Sequence, residues 1–192
     1  MEMHEIIPAV LPHSVEELEK QLAALPPQIT LFHMDVLDPP AGGDIWTHSN
    51  TRDFEVHLMV EDPESIMDKW IERGAKRISV HTPSGKLADY RGRAEIGFAV
   101  ELDKPLEEVL PFLDFVDFVH LMSIDEIGEQ GHPFDEKVFD RIKTLQEKYP
   151  DLPISVDGGV NVKNYEKLLA LGADRLIVGS GFKELWNSLT KN

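Results

Sequence analysis

The sequence contains no cysteine, which excludes disulfide bonds, thiolate metal ligands and cysteine nucleophiles. It also has no apolar run approaching the roughly 20 residues of a membrane-spanning helix. Positive charge is scarce, because 19 Lys and Arg stand against 35 Asp and Glu, for a formal net charge of −16. Such a chain lacks the basic surface that nucleic-acid binding requires, and the overall field opposes an anionic ligand unless local donors hold it. We therefore expect neither nucleic-acid nor membrane partners.

Length and composition favour one compact unit. The 192 residues are 42% hydrophobic and 28% charged, which suits a globular domain with a sizeable core. The opening stretch, MEMHEIIPAV, lacks the charged segment and apolar segment of a secretory signal. A single domain over residues 1–192 and a cytoplasmic location are the expectations.

Short apolar segments recur along the chain and are typical of buried strands. They occupy residues 5–11, 29–37, 54–60, 77–81, 95–101, 117–123, 153–158 and 175–180. Amphipathic helical patterns lie between most of them, at 14–25, 63–74, 134–149 and 161–172. Eight strands alternating with helices favour a parallel sheet, and a closed (β/α)8 barrel is the natural eight-strand arrangement. A doubly wound open sheet is the alternative.

Two junctions resemble each other. Both ERGAKRISV at 72–80 and ALGADRLIV at 170–178 end a helix on glycine and begin a strand with arginine. Weak self-similarity of this kind is expected when one β/α unit is repeated.

The connections at 39–53 and 82–94 contain proline and glycine but no apolar helical repeat, which predicts that the second and fourth helices are shortened or missing. The outward faces beneath them are nevertheless apolar, namely Phe32, Met34, Val36, Val56, Leu58, Val60, Ile78 and Val80. Either loop residues such as Ile45, Trp46 and Tyr90 cover these faces, or a second subunit does. We expect a homodimer.

Strand alternation places polar residues on one face. His33 and Asp35 share a face of strand 2, His57 lies with Glu55 and Met59 on strand 3, and Asp157 follows Ser155 on strand 7. In a (β/α)8 barrel the carboxyl ends of the strands form the active-site face. Two imidazoles and two carboxylates converging there suit Zn²⁺, Mn²⁺ or Fe²⁺.

The alternative interpretation is that these are ordinary buried polar groups, with Asp157 capping a turn and His57 bonded to a carbonyl. His81 and His120 also fall on inward faces. Either could line the pocket, but both are interpreted as structural residues, because neither is among the four candidate ligands.

A family resemblance rests on several of these stretches. FHMDVLD followed by FEVHLMVEDPE resembles the strand 2 and strand 3 motifs of the ribulose-phosphate 3-epimerase family, and HLMS, SVDGGVN and GADRLIVGSGF resemble its strand 6, 7 and 8 motifs. The correspondence runs in order from residue 6 to about residue 183. The resemblance implies a (β/α)8 barrel with one divalent metal bound by His33, Asp35, His57 and Asp157.

The resemblance also implies a reaction. The family inverts C3 of a ketose phosphate such as ribulose 5-phosphate through an enediolate, with Asp35 and Asp157 as the acid/base pair. Removing a proton on one face and returning one on the other requires two groups that each alternate between acid and base.

Other parts of the pocket can be assigned in the same way. In this fold the loops after strands 7 and 8 commonly hold phosphate through backbone N–H groups, which predicts a phosphate site at Gly158, Gly159, Gly179 and Ser180. Met59 and Met122 are expected to form apolar walls of the substrate pocket, with plain core filling as the alternative.

The sequence departs from the family pattern at the substrate-binding parts. The loop after strand 6 reads IDEIGEQGHPF instead of a Pro-Gly-Phe-Gly-Gly-Gln pattern, Ala9 and Pro12 replace serines, and Glu101 replaces an asparagine. A different ketose, or a non-catalytic protein that binds metal and sugar phosphate, therefore stays open. A related barrel lyase is disfavoured, because such enzymes typically carry a lysine at the position of Leu37.

Overall fold

The computed structural model describes residues 5–37, 45–46, 50–82 and 84–190. Its strands are β1 (Glu5–Val10), β2 (Leu31–Leu37), β3 (Asp53–Met59), β4 (Arg77–Val80), β5 (Glu95–Val100), β6 (Phe118–Met122), β7 (Ile154–Asp157) and β8 (Arg175–Val178). The α-helices are α1 (Val15–Ala24), α2 (Glu64–Glu72), α3 (Leu106–Val109), α4 (Lys137–Lys148), α5 (Tyr165–Ala170) and α6 (Phe182–Thr190). Two 3-10 helices span Gly85–Tyr90 and Leu110–Phe115. Every predicted strand is present, with ends that differ by no more than two residues.

The eight strands are parallel and pair in sequence order, and β8 pairs with β1 to close the barrel. The predicted (β/α)8 barrel is confirmed and the open sheet is excluded. Within the described ranges no helix has the length and apolar character needed to cross a bilayer. Because all strands run the same way, the carboxyl ends that carry the candidate residues meet at one rim.

Helix α1 illustrates how local sequence sets an element. Ser14 is the N-cap, and its Oγ accepts a hydrogen bond from the backbone N–H of Glu17 at 3.2 Å. The Glu17 carboxylate accepts from the N–H of His13 at 2.8 Å, one residue before the position that the capping box predicts. Leu18 and Leu22 then lie one turn apart on the buried face of the helix.

Loop residues cover the outer faces of β2–β4. Ile45 is buried, and the Trp46 ring packs against Phe54 at 4.3 Å between centroids and edge-on against Trp70 at 5.9 Å. The connection between β4 and β5 contains the 3-10 helix Gly85–Tyr90, which buries Leu87. The chain itself therefore largely covers the apolar faces on which the dimer expectation depended. The homodimer stays a prediction, which light scattering can test.

The shortened second and fourth helices also stay a prediction in part, because residues 38–44, 47–49 and 83 lie outside the described residues.

The two similar junctions each place an arginine at the amino-terminal end of the barrel, here called its floor. Arg77 opens β4 and Arg175 opens β8, on opposite sides of the barrel. Arg77 contacts Glu5 at 2.7 Å and Glu95 at 3.3 Å, and Arg175 contacts Glu95 at 2.8 Å and Glu5 at 3.5 Å. The repeated arginine therefore builds one ionic cluster from β1, β4, β5 and β8.

Candidate metal centre

His33, on β2, points a free ring nitrogen into the barrel mouth. The residue is buried, and its Nδ1 lies 2.7 Å from the Glu55 carboxylate. Its Nε2 has no hydrogen-bond partner and lies 3.4 Å from Asp35 Oδ1 and 3.9 Å from Asp157 Oδ2. A carboxylate on Nδ1 fixes the tautomer that leaves the Nε2 lone pair available, which is the usual arrangement of a metal-binding histidine.

His57, on β3, approaches the same two carboxylates. Its Nδ1 lies 3.2 Å from Asp35 Oδ1 and 3.8 Å from Asp157 Oδ2. On the other side of the ring, Nε2 lies 2.7 Å from His81 Nε2, and His81 Nδ1 lies 3.4 Å from Glu101. With a lone pair on His57 Nδ1, its Nε2–H donates to His81, whose own Nδ1–H faces the Glu101 carboxylate.

His120, on β6, belongs to the same cluster. Its ring is buried between those of His33 and His57, with centroids at 5.4 and 4.6 Å, and its Nε2 lies 3.2 Å from Asp157 Oδ2. One ligand atom from each of His33, His57, His120 and Asp157 lies within 4.8 Å of the other three. The sequence predicts that His120 faces inward but favours a structural role for it.

Burial and neighbouring charges together shift the titration of these groups. Burial would raise the pKa of Asp35, but the adjacent imidazoles of His33 and His57 hold it far below its usual range. Burial opposes protonation of His33, yet the carboxylates of Asp35 and Glu55 raise its pKa well above 6.5. Burial and the nearby imidazoles lower the pKa of His81 to about 2. Burial also lowers the pKa of His120, so this ring is neutral at neutral pH.

This donor set fits a divalent cation. His33 Nε2 is buried without a hydrogen-bond partner, 3.4 Å from the Asp35 carboxylate, whose low pKa keeps it ionised. Further imidazole nitrogens and carboxylate oxygens lie around this nitrogen. Buried polar atoms are normally satisfied, and an ion such as Zn²⁺, Mn²⁺ or Fe²⁺ takes both nitrogen and oxygen ligands. The structure thus brings together the four residues predicted as ligands, His33, Asp35, His57 and Asp157.

A cavity opens directly above this cluster. Asp35, His57 and Asp157 line it, and so do Met59 and Met122. The four residues predicted to bind phosphate, together with Gly181, line the same cavity. Further lining residues come mainly from the loop after β6, and they include Ile124, Gly128, Glu129, Gln130 and His132.

The loop after β6 is tied to the strand end that carries Asp157. Ser123 Oγ donates a hydrogen bond at 2.5 Å to the carbonyl of Gly158 and lies 2.9 Å from the carbonyl of Asp157, which also accepts from the Ser123 N–H at 2.7 Å. Gly158 and Gly159 have φ of +109° and +64°, in the left-handed region that favours glycine. A side chain at Gly159 would meet the Phe134 backbone at 2.7 Å, so the loops after β6 and β7 pack closely.

Two contributions to the site were not identified from the sequence. The buried Glu55 was recognised only as an inward neighbour of His57, and its contact with His33 depends on the pairing of β2 with β3, in which these two residues are opposite. Gln130 reaches across the mouth, where its amide donates to the Ala9 carbonyl at 3.3 Å. Neither contact can be inferred from spacing along one strand.

Fold and site together define a (β/α)8-barrel protein with a histidine–aspartate centre suited to a divalent metal at the carboxyl-terminal rim. A model of the ribulose-phosphate 3 epimerase family matches residues 5–183, and the chain belongs to that family. The ribulose-phosphate 3-epimerase of Aquifex aeolicus is 32% identical over 171 residues, which cover 79% of this chain and 76% of that protein. The ribulose-phosphate 3-epimerase of Escherichia coli K12 is 25% identical over an alignment covering 94% of this chain and 89% of that protein.

Among solved structures, a mutant tryptophan synthase α-subunit from Pyrococcus furiosus superimposes with a TM-score of 0.65 at 15% identity. The match covers 100% of this chain and 94% of that chain. A likeness at this identity supports the barrel fold alone.

Proposed function

We propose that this protein is a metal-dependent epimerase that inverts C3 of a pentulose phosphate, interconverting ribulose 5-phosphate and xylulose 5-phosphate. The observation that carries the proposal is that two carboxylates from non-adjacent strands, Asp35 on β2 and Asp157 on β7, approach the same two histidine nitrogens beneath one cavity. Epimerisation requires one base and one acid on opposite faces of the inverted carbon.

In this mechanism one aspartate removes the C3 proton and the other delivers a proton to the opposite face. The proton transfers require each carboxylate to lie within hydrogen-bond reach of C3 in the bound substrate. His33 and His57 hold Asp35 in place by their contacts at 3.4 and 3.2 Å, so little orientational freedom is lost during the reaction. When bound, a divalent metal would supply Lewis-acid stabilisation of the negative charge that develops on the enediolate oxygens.

The remaining lining residues hold the sugar phosphate. Met59 and Met122 present apolar surface to the planar intermediate and exclude water from it. Gly158, Gly159, Gly179 and Ser180 offer backbone N–H groups to the phosphate from the loops after β7 and β8.

A ketose without phosphate is the second candidate substrate. Among the described residues that line the cavity there is no lysine or arginine, and His132, in the loop after β6, lies 3.8 Å from the Glu129 carboxylate. Phosphate recognition would therefore depend on backbone donors, in a chain whose net charge is −16.

The test is deuterium exchange at C3 in D₂O with a panel of phosphorylated and unphosphorylated ketoses, using the metal-loaded protein. Asp157→Asn keeps an oxygen donor but removes a base, and we expect turnover to fall by more than about 10²-fold. Asp151→Asn, at an exposed position after α4, is the matched control and should behave as wild type. Full epimerisation by Asp157→Asn would reject the two-base mechanism, and no exchange by wild type with any ketose would favour a binding protein.

A further inference from the structure

Three imidazole nitrogens from three different strands surround one carboxylate oxygen, Asp157 Oδ2. His33 Nε2 lies 3.9 Å from this oxygen, His57 Nδ1 lies 3.8 Å from it and His120 Nε2 lies 3.2 Å from it. The rings belong to β2, β3 and β6. The third ring is thus at least as close to the carboxylate as the two that the family resemblance assigns to the metal.

These nitrogen–oxygen separations are compatible with atoms that share one ion. Two ligand atoms at about 2.1 Å from a metal lie roughly 3–4.2 Å apart, depending on the angle between the two bonds. All three nitrogen–oxygen distances fall within this interval. By its distance from Asp157 Oδ2, the His120 ring can therefore share an ion with this carboxylate as well as the rings of His33 and His57 can.

The surroundings of His120 add a second line of support. In the sheet it pairs with Ala99 on β5 and Ser155 on β7, and its ring is 1% exposed. A residue placed there only to fill the barrel core would need no nitrogen aimed at a carboxylate, and an apolar side chain would avoid the cost of burying a polar ring.

We propose that His120 is an additional metal ligand, so that the centre offers three imidazoles together with Asp35 and Asp157. The inference rests on the metal-dependent function proposed above. A nitrogen-rich set binds Zn²⁺ or Co²⁺ in preference to Mn²⁺, which is better served by oxygen donors. The third imidazole is then the residue that sets metal selectivity.

The competing account is that His120 Nε2–H only donates a hydrogen bond to Asp157 at 3.2 Å. Both accounts place the ring beside the carboxylate, but they differ in the number of imidazoles bound to the ion. X-ray absorption at the zinc edge of the wild-type protein counts bound imidazoles through their multiple scattering. Three imidazoles support the proposal and two overturn it, and this measurement needs no variant.

A variant pair tests selectivity. We expect His120→Asn to weaken Zn²⁺ binding by at least about 10–100-fold, the loss that even outer-shell partners of a metal site produce. Mn²⁺ binding should weaken much less, so the Zn²⁺/Mn²⁺ affinity ratio falls in chelator competition. His13→Asn, at an exposed position before α1, is the matched control and should leave both affinities unchanged. An unchanged ratio in His120→Asn overturns the proposal.

Failure of this inference can be separated from failure of the proposed function. His57→Ala should sharply lower metal content in either case. If His57→Ala loses metal while His120→Asn binds both ions as wild type does, only the role of His120 is rejected. If His57→Ala retains full metal with unchanged affinity, the metal centre itself is wrongly assigned.

Discussion

The Glu55 carboxylate lies 2.7 Å from His33 Nδ1 and, through its other oxygen, 2.8 Å from Arg77 Nη1. Glu55 therefore connects the metal centre to the ionic cluster on the barrel floor. Its charge increases the basicity of the His33 ring and fixes the nitrogen that faces the site.

The first prediction follows from this contact. Glu55→Gln keeps the shape of the side chain but removes its charge, and we expect metal affinity to fall about 10–100-fold. Metal titration monitored by calorimetry measures the loss. Glu95→Gln is the matched control, since Glu95 also contacts Arg77 but belongs to β5 and not to the metal centre. Equal losses in the two variants would show that the floor acts on the site only through general stability.

The second prediction concerns acid stability of the metal-free protein. Burial would raise the pKa of Glu55, but its hydrogen bond and charge interaction with His33 and the charge of Arg77 lower it from 4.5 to about 2. As the pH falls, the unfolded chain takes up this proton first. The stabilisation is therefore complete above about pH 4.5 and is lost as the pH falls towards about 2.

Urea unfolding in the presence of a chelator, from about pH 6 to about pH 3, measures this dependence. The free energy of unfolding should fall less steeply with acid in Glu55→Gln than in wild type. Parallel curves for the two proteins would contradict the assignment of this carboxylate.

Strand alternation was sufficient to predict which residues face the barrel interior, and hence that His33, Asp35, His57 and Asp157 meet. It was not sufficient to predict their neighbours. Asp35 lies opposite His57 in the sheet, whereas Asp157 lies opposite Met122, so the stagger between strands decides which side chains share a layer. The roles of Glu55 and His120 depend on that stagger, which no single strand encodes.

The third prediction tests the phosphate loops. Gly159→Ala and Gly92→Ala both place a side chain at positive φ, at +64° and +83°. Only at Gly159 would the new Cβ meet a neighbour, the Phe134 backbone at 2.7 Å, whereas Gly92 has nothing within 4 Å. Both variants should lose about 1–2 kcal/mol of stability from the backbone conformation, and Gly159→Ala should lose more because its Cβ also meets the Phe134 backbone.

Only Gly159→Ala should also raise KM for a phosphorylated ketose, by roughly tenfold or more, which corresponds to about 1.4 kcal/mol of lost binding. Steady-state kinetics on both variants gives the comparison. An unchanged KM in Gly159→Ala would remove this glycine from the phosphate site.

The fourth prediction concerns the barrel wall. A Cβ at Gly97 on β5 would overlap the ring of Phe118 on β6, which is 3% exposed. We expect Gly97→Ala to reduce the free energy of unfolding by about 1–3 kcal/mol through overpacking. Gly85→Ala is the control, because no atom lies within 4 Å of the added methyl group. Urea unfolding checks both, and a Gly97→Ala protein as stable as wild type would show that the Phe118 ring can move aside.

The ionic cluster on the floor has a consequence for the order in which ligands bind. Along the barrel axis, the carboxylates of Glu5, Glu55, Glu95, Asp35 and Asp157 outnumber the guanidinium groups of Arg77 and Arg175. The interior has three negative charges in excess if the histidines are neutral, and two if His33 is protonated, as its raised pKa favours. This field attracts a small cation and repels a phosphate dianion. Charge alone therefore favours a sequential assembly, in which the barrel accepts an anionic sugar readily only after a cation has entered.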